Sequence, residues 1–280
     1  MQESQDLCEG TERFPVFLHD RQRAKILKTF KYVPCNIPGP GTSYEDFQTL
    51  LAGCECMDTC TDCACVSRFG PNYDQSGGIL PPLLSPDSNK LVVECNTNCS
   101  CPRTCCNRVV QNGIPVQLKL FETESKGFGL CTQESIPAFN FVCEYAGEVL
   151  TEHEASQRVQ HKTRQEMNYL LVLQEFCSTG VIRTLVDPEI IGNIGRFINH
   201  SCDPNLIMVP VRVSNNVPKL ALFACRDIGP GEELCYDYSG RNCGQTDVRE
   251  ESSKHRWKKV CKCGSAKCRG LLPIDESLFK

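Results

Sequence analysis

Arg196-Phe197-Ile198-Asn199-His200-Ser201-Cys202 packs a cation, two side chains able to hydrogen-bond a polar ligand, and a thiol into seven consecutive positions. Downstream, Leu234-Cys235-Tyr236-Asp237-Tyr238 reads as a short strand, entered by a turn at Pro230-Gly231. Side chains two apart on a strand project to the same side, so both phenols share one face. A cation, an amide, an imidazole and two phenols gathered in this way suit a polar ligand bound against an aromatic wall.

The bulk of the chain limits what such a site belongs to. At 280 residues, with 40% hydrophobic and 23% charged residues, it can bury a proper core. No apolar run approaches the roughly 20 residues that span a bilayer. The start, residues 1–14, has neither the basic nor the apolar region of a secretion signal, so secretion is not expected. A formal charge of −4 disfavours a non-specific nucleic-acid binder and leans towards a basic partner such as a Lys/Arg-rich protein tail.

Twenty-two cysteines are the outlying feature. In a chain with no secretion signal, clustered cysteines read as metal ligands before disulfides. Cys54, Cys56, Cys60, Cys63 and Cys65 form one group, and Cys95, Cys99, Cys101 and Cys105 a second. Scattered buried thiols or isolated C-x₂-C knuckles are the alternatives, but the spacings are those of metal ligands. Three tetrahedral zinc ions need about twelve ligand positions, which nine thiolates supply if three of them bridge. Cys106 adjoins the last ligand and is surplus to this count. Near the C-terminus Cys261, Cys263 and Cys268 supply three thiols, one short of a tetrahedral site.

Between the cysteine groups, residues 66–94 are rich in Gly, Pro, Ser and Asn and read as a surface loop. Residues 1–31 show no chemistry, with a helical turn or two at most over 24–30. Strand-like runs follow at 115–121, 168–173, 182–186, 206–213 and 220–225, and Thr151-Glu152-His153-Glu154 is a capping box opening a polar helix to about residue 165. Many short strands, one modest helix and no βαβ rhythm give a mostly β fold with few helices. Lys126-Gly127-Phe128-Gly129 is a weak signal alone; it lacks the third glycine of a dinucleotide fingerprint, and by itself is a hairpin turn.

RFINHSCDPN followed by EELCYDYSG resembles the core of the SET-domain protein lysine methyltransferases, and the likeness runs from about residue 30 to 275. The resemblance implies a SET-domain β fold with a pseudoknot-like core, flanked by a pre-SET zinc cluster and a small zinc-binding post-SET tail. It divides the chain into an N-terminal segment (1–50), the pre-SET cluster (51–112), the catalytic SET domain (113–240) and the post-SET linker and tail (241–280). It also makes Cys202 the fourth ligand beside Cys261, Cys263 and Cys268, for four zinc ions in all. S-adenosyl-L-methionine is the implied cofactor. Lys126, Gly127, Phe128, Tyr169, Arg196, Asn199 and His200 are its implied contacts, Phe128 standing where the family usually has Trp. Tyr238 is the implied catalytic tyrosine, with Tyr236 and Tyr169 beside the substrate channel.

The activity this implies is methyl transfer to a lysine of histone H3. One branch of the family points to lysine 36 or lysine 4, the wider pre-SET class to lysine 9. Tyr236 stands where the family alternates Phe with Tyr, and its hydroxyl implies mainly mono- and dimethylation. The expected setting is a monomer in the nucleus, on chromatin, with the histone H3 tail or nucleosome as partner. No sequence-specific DNA contact, no membrane and no further domain after the last cysteines is expected. The alternative is a non-catalytic chromatin-binding scaffold, against which the intact Tyr238, Asn199 and His200 speak.

Overall fold

The structure, a computed structural model, describes residues 5–18, 26, 28–61, 63–85, 88, 90–163, 166–178, 180–240 and 259–273. The polar stretch 241–258 and the last two positions of the expected helix, 164–165, lie outside the described residues.

Two sheets carry the architecture. In one, the strand Cys235–Tyr236 lies between Asn199–His200 and Leu206–Arg212, parallel to both, and antiparallel pairs continue outward through Lys219–Ala224 to Phe141–Tyr145. The RFINHSC motif and the two-tyrosine run are thus neighbours because their strands pair, Asn199 opposite Cys235 and His200 opposite Tyr236. In the other sheet the hairpin Leu171–Cys177 and Gly180–Gly192 continues into Gly147–Leu150 and Ile37–Pro38. The expected strand at 168–173 begins later and runs longer, because its partner across the hairpin extends as far as Gly180.

The main core draws on both sheets and on the separate hairpin Leu118–Glu122 and Phe128–Thr132. Leu118, Leu120, Leu130, Val142, Cys143, Leu220, Leu222 and Leu234 fill it. Leu7, Val16, Leu18, Ile26 and Phe30 join the same core. The N-terminal segment is therefore part of the domain. Its short apolar runs are too brief to show periodicity, yet each buries a side chain.

Residues 66–94 also depart from the surface-loop expectation. The helix Ala64–Phe69, a 3₁₀ turn at Pro81–Leu84 and the strand Val92–Val93 occupy this stretch, and Val92–Val93 pairs with Val211 and Arg212. Ile79 is completely buried in a second apolar cluster with Val92, Phe141 and Phe223. Polar side chains supply the hydrogen bonds that a longer ladder would. Asn72 donates to the Val93 carbonyl at 2.7 Å, and the buried Glu94 accepts from the Tyr73 hydroxyl at 2.7 Å and from the Val109 and Val110 amides at 2.8 and 2.7 Å. A composition that looks like a loop is here a core held by buried Asn and Glu.

Thr151 caps the helix as expected, but only half of the capping box is seen, since the Glu154 carboxylate pairs with Arg158. Thr151 accepts from the Glu154 amide at 3.3 Å and starts the helix Glu152–His161, which buries Ala155 and Val159 one turn apart. Arg158 on that helix bridges Glu148 and Asp187, each at 2.9 Å, fixing it to the second sheet.

Candidate active site

A cavity of about 720 Å³ opens where the RFINHSC segment, the 125–128 turn and the C-terminal tail meet. Its size is that of a site for a drug-sized or nucleoside-sized ligand. Lys126, Gly127, Phe128, Tyr169, Arg196, Asn199, His200 and Tyr238 all line it. Tyr236 does not; it is buried behind Tyr238, the two rings 4.8 Å apart.

The floor is built by hydrogen bonds between the two motifs. The Tyr238 hydroxyl donates to the Ile198 carbonyl at 2.8 Å, and its amide donates to His200 Nδ1 at 3.2 Å. Since Nδ1 accepts, the imidazole proton sits on Nε2, which lies 3.3 Å from Cys202 Sγ. Burial holds the His200 pKa down to about 4 against the pull of Asp237, so the ring is neutral. Both ring nitrogens are engaged in holding the motif together. Burial raises the Tyr238 pKa, and its hydroxyl stays protonated at neutral pH.

The 125–128 turn forms one wall. Thr123 holds it, donating from its amide and hydroxyl to the Gly127 carbonyl at 2.7 and 2.8 Å. Gly127 has φ of +79°, and a Cβ placed there would meet nothing within 4 Å, so the backbone is open towards a ligand. Lys126 is paired with Glu233 at 2.6 Å, and Asn199 Nδ2 donates both to Glu233 and to the Phe128 carbonyl at 3.0 Å. Glu233 is the organiser that motif reading missed, although it adjoins the two-tyrosine strand.

Arg196 forms the opposite wall. Its guanidinium lies 4.4 Å from the centroid of Tyr169, 4.7 Å from that of Phe30 and 5.0 Å from that of Phe197. Its Nε is buried without a hydrogen-bond partner. Phe30, Ile26 and Thr29 bring the N-terminal segment to the site, contrary to the expectation of no chemistry there. Tyr145 was missed as well. Its hydroxyl donates to the Tyr169 carbonyl at 2.5 Å and accepts from the hydroxyl of Tyr236.

Lys259, Val260, Lys262, Cys263 and Leu272 roof the cavity from the C-terminal tail. That tail is anchored by sulfur: the thiols of Cys202, Cys261, Cys263 and Cys268 lie within 4.8 Å of one another. Three further groups occur near the N-terminal side: Cys54, Cys56, Cys60 and Cys63; Cys54, Cys95, Cys99 and Cys101; and Cys60, Cys95, Cys101 and Cys105. Cys54, Cys60 and Cys95 are each shared, as bridging requires, and Cys101 is shared too. Cys65 belongs to none of these groups but packs on the cluster, close enough that the charges of Cys99, Cys54 and Cys63 add to burial in raising its pKa. Cys106 is exposed and lies outside them, accepting from the Thr59 hydroxyl at 3.0 Å.

The donor set fits zinc. All-sulfur quartets suit a tetrahedral soft-ligand ion and leave no open position, which makes them structural. Amides already point at the sulfurs, Asn96 N to Cys99 at 3.3 Å and Asn107 N to Cys105 at 3.5 Å, and the buried Arg108 guanidinium reaches Cys101 at 3.5 Å. Such donors stabilise thiolate charge.

Comparison with known proteins agrees with this geometry. The SET domain family matches residues 127–239 and the Pre-SET motif residues 8–108. The chain is 44% identical over 283 aligned residues to the histone-lysine N-methyltransferase SETMAR of Mus musculus, covering 99% of this chain and 91% of that protein. The crystal structure of the methyltransferase domain of human SETMAR superposes with a TM-score of 0.83 at 40% identity, covering 98% of this chain and 99% of that one. SUVH6 of Arabidopsis thaliana in complex with S-adenosylmethionine superposes with a TM-score of 0.75 at 31% identity, over 97% of this chain and 56% of that one. With the cavity, the paired motifs and the cysteine groups all in place, the chain belongs to the SET-domain family of S-adenosylmethionine-dependent histone-lysine N-methyltransferases.

Proposed function

We propose that the protein transfers methyl groups from S-adenosylmethionine to a lysine of histone H3, mainly as one or two methyls, on nuclear chromatin. The observation that carries this is the placement of the Tyr238 ring in a cavity also lined by Lys126, Gly127, Phe128, Asn199 and His200. These residues, with Tyr169 and Arg196, would hold S-adenosylmethionine, which when bound would supply an electrophilic methyl on a sulfonium.

The chain's own residues handle the incoming amine. A free lysine has a pKa of about 10.4 and must lose its proton before attack. No carboxylate lines the cavity among the described residues, and Lys126, Arg196, Lys259 and Lys262 do. Loss of water on burial and the neighbouring cations disfavour a further ammonium, so deprotonation needs no dedicated base. Neutral His200 is already committed to the Tyr238 amide. What remains for catalysis is alignment, which is worth about 7–11 kcal/mol in favourable cases.

Tyr236 sets the methyl number in this reading. Its hydroxyl, held by Tyr145, occupies space next to Tyr238 that extra methyl groups would need. Likeness to SETMAR points to lysine 36 or lysine 4 of H3, and the wider pre-SET class to lysine 9. The four cysteine groups support four zinc ions per chain, three in the segment 51–112 and one joining Cys202 to the tail. Turnover on H3 peptides carrying a single free lysine at 4, 9 or 36 tests the assignment. Methylation of none of the three, by a protein that binds the cofactor, would move the reading to a chromatin-binding scaffold.

A further inference from the structure

The catalytic tyrosine and the C-terminal cysteine group are joined by a closed circuit of contacts. Tyr238 N donates to His200 Nδ1 at 3.2 Å, and His200 Nε2 lies 3.3 Å from Cys202 Sγ. The Arg269 amide donates to that same sulfur at 3.3 Å. The Arg269 guanidinium then reaches back 2.6 Å to Asp237 Oδ2, the residue before Tyr238. Asp237 Oδ1 accepts from the Ser239 amide and hydroxyl at 2.9 and 2.8 Å, so this carboxylate grips the backbone on the far side of Tyr238.

We infer that Arg269 is a positioning residue for Tyr238: its ion pair with Asp237 fixes the 237–239 backbone and so the place of the Tyr238 hydroxyl in the cavity. Asp237 is 5% exposed, and the Arg269 side chain 32%. The carboxylate end is buried and the arginine end reaches solvent, so the pair is held better than one exposed at both ends, where screening and side-chain entropy dominate. The Tyr238 hydroxyl itself is held by the backbone of the RFINHSC segment, at the Ile198 carbonyl (2.8 Å) and the His200 amide, so its place depends on how the 237–239 backbone is set against that segment. Lys267 offers a contrast. Its ion pair with Asp203 is exposed on both sides, at 63% and 50%, so it tethers the tail loosely, to a residue other than the 237–239 segment.

The inference rests on Tyr238 being the catalytic tyrosine, so its test includes a readout that needs no turnover. Arg269→Gln, Arg269→Lys, Asp237→Asn and the Arg269→Gln/Asp237→Asn double variant are made in the full chain, and zinc content is measured on each. Hydrogen exchange is followed at the Tyr238 amide, and kcat and KM are measured on whichever H3 peptide the wild type methylates. With zinc unchanged, Arg269→Gln should speed exchange at Tyr238 about tenfold. It should lower kcat roughly tenfold with KM for both substrates within about twofold, as a misplaced catalytic group does. Asp237→Asn should match it, the double variant should be no worse than either single, and Arg269→Lys should recover part of the loss. Unchanged exchange at Tyr238 in Arg269→Gln, additive losses in the double variant, or a raised KM with kcat intact would each overturn the inference. A wild type that turns over nothing would instead count against the methyltransferase reading, and exchange would still decide the role of Arg269.

Discussion

The rings of Tyr236 and Tyr238 lie 4.8 Å apart with 46° between their planes, one facing the cavity and the other buried behind it against Tyr145. The strand ends at Tyr236 and Tyr238 stands in the turn that follows, so the two phenols are stacked in depth: in the proposed function Tyr238 would meet the ligands and Tyr236 would limit the space around it.

Removing the inner hydroxyl should therefore alter the product more than the rate. In Tyr236→Phe the Tyr145 hydroxyl loses one partner but keeps the Tyr169 carbonyl, so the fold is retained. Mass spectrometry of the product should show trimethyl-lysine rising at the expense of the dimethyl form. An unchanged methyl distribution would mean that Tyr236 does not set methyl number.

Phe30 belongs to a stretch that looked inert in the sequence, yet it packs edge-on to Phe197 at 5.6 Å and under Arg196 at 4.7 Å. Phe30→Ala should cost about 3–5 kcal/mol of stability, the usual cost of emptying a buried phenylalanine site. Arg196 then loses one of its three rings, so KM for S-adenosylmethionine should rise by about an order of magnitude at temperatures where the variant is folded. Thermal unfolding and cofactor titration check the two effects separately; a normal KM would remove Phe30 from the site.

The sequence was most legible where residues are close together along the chain. The two compact motifs were read together from the sequence, and the nine cysteines stood out by spacing alone; that Asn199-His200 pairs with Cys235-Tyr236 is what the structure adds. What escaped notice were residues whose role depends on a distant partner. Glu233 matters because Lys126 and Asn199 converge on it, and Tyr145 because Tyr169 and Tyr236 do. Asn72 and Glu94 turned a stretch of loop-like composition into buried structure by answering backbone groups up to 21 residues away. No periodicity records such contacts, since each is one polar side chain meeting one distant group.

Glu144 gives a pH dependence of stability. It is buried, and Lys219 holds one carboxylate oxygen at 2.7 Å. Burial raises the Glu144 pKa, with Lys219 opposing. The folded state then binds a proton that the unfolded chain has already released, so stability falls as pH rises from the ordinary glutamate range through the raised value. Lys219→Met strands the carboxylate and should cost about 3–5 kcal/mol near neutral pH and less in acid. Denaturation at several pH values measures this. A loss in Lys219→Met that stays the same in acid and at neutrality would show that Glu144 is not the titrating group.

Metal analysis should give four zinc ions per chain. Cys202→Ser should reduce this to three and open the roof formed by Lys259, Val260 and Leu272, weakening cofactor binding. A wild-type content of three would remove the Cys202 site from the account.

In the proposed function Tyr238 places a hydroxyl where methyl transfer to lysine occurs. The measurement is mass spectrometry of histone H3 in recombinant nucleosomes, after incubation with S-adenosylmethionine and either the wild type or Tyr238→Phe. Wild type should methylate a lysine of H3, and Tyr238→Phe, zinc-loaded and folded, should leave it unmodified or nearly so. Equal methylation by the two proteins would contradict the role given to Tyr238, and methylation by neither would contradict the proposed activity on H3.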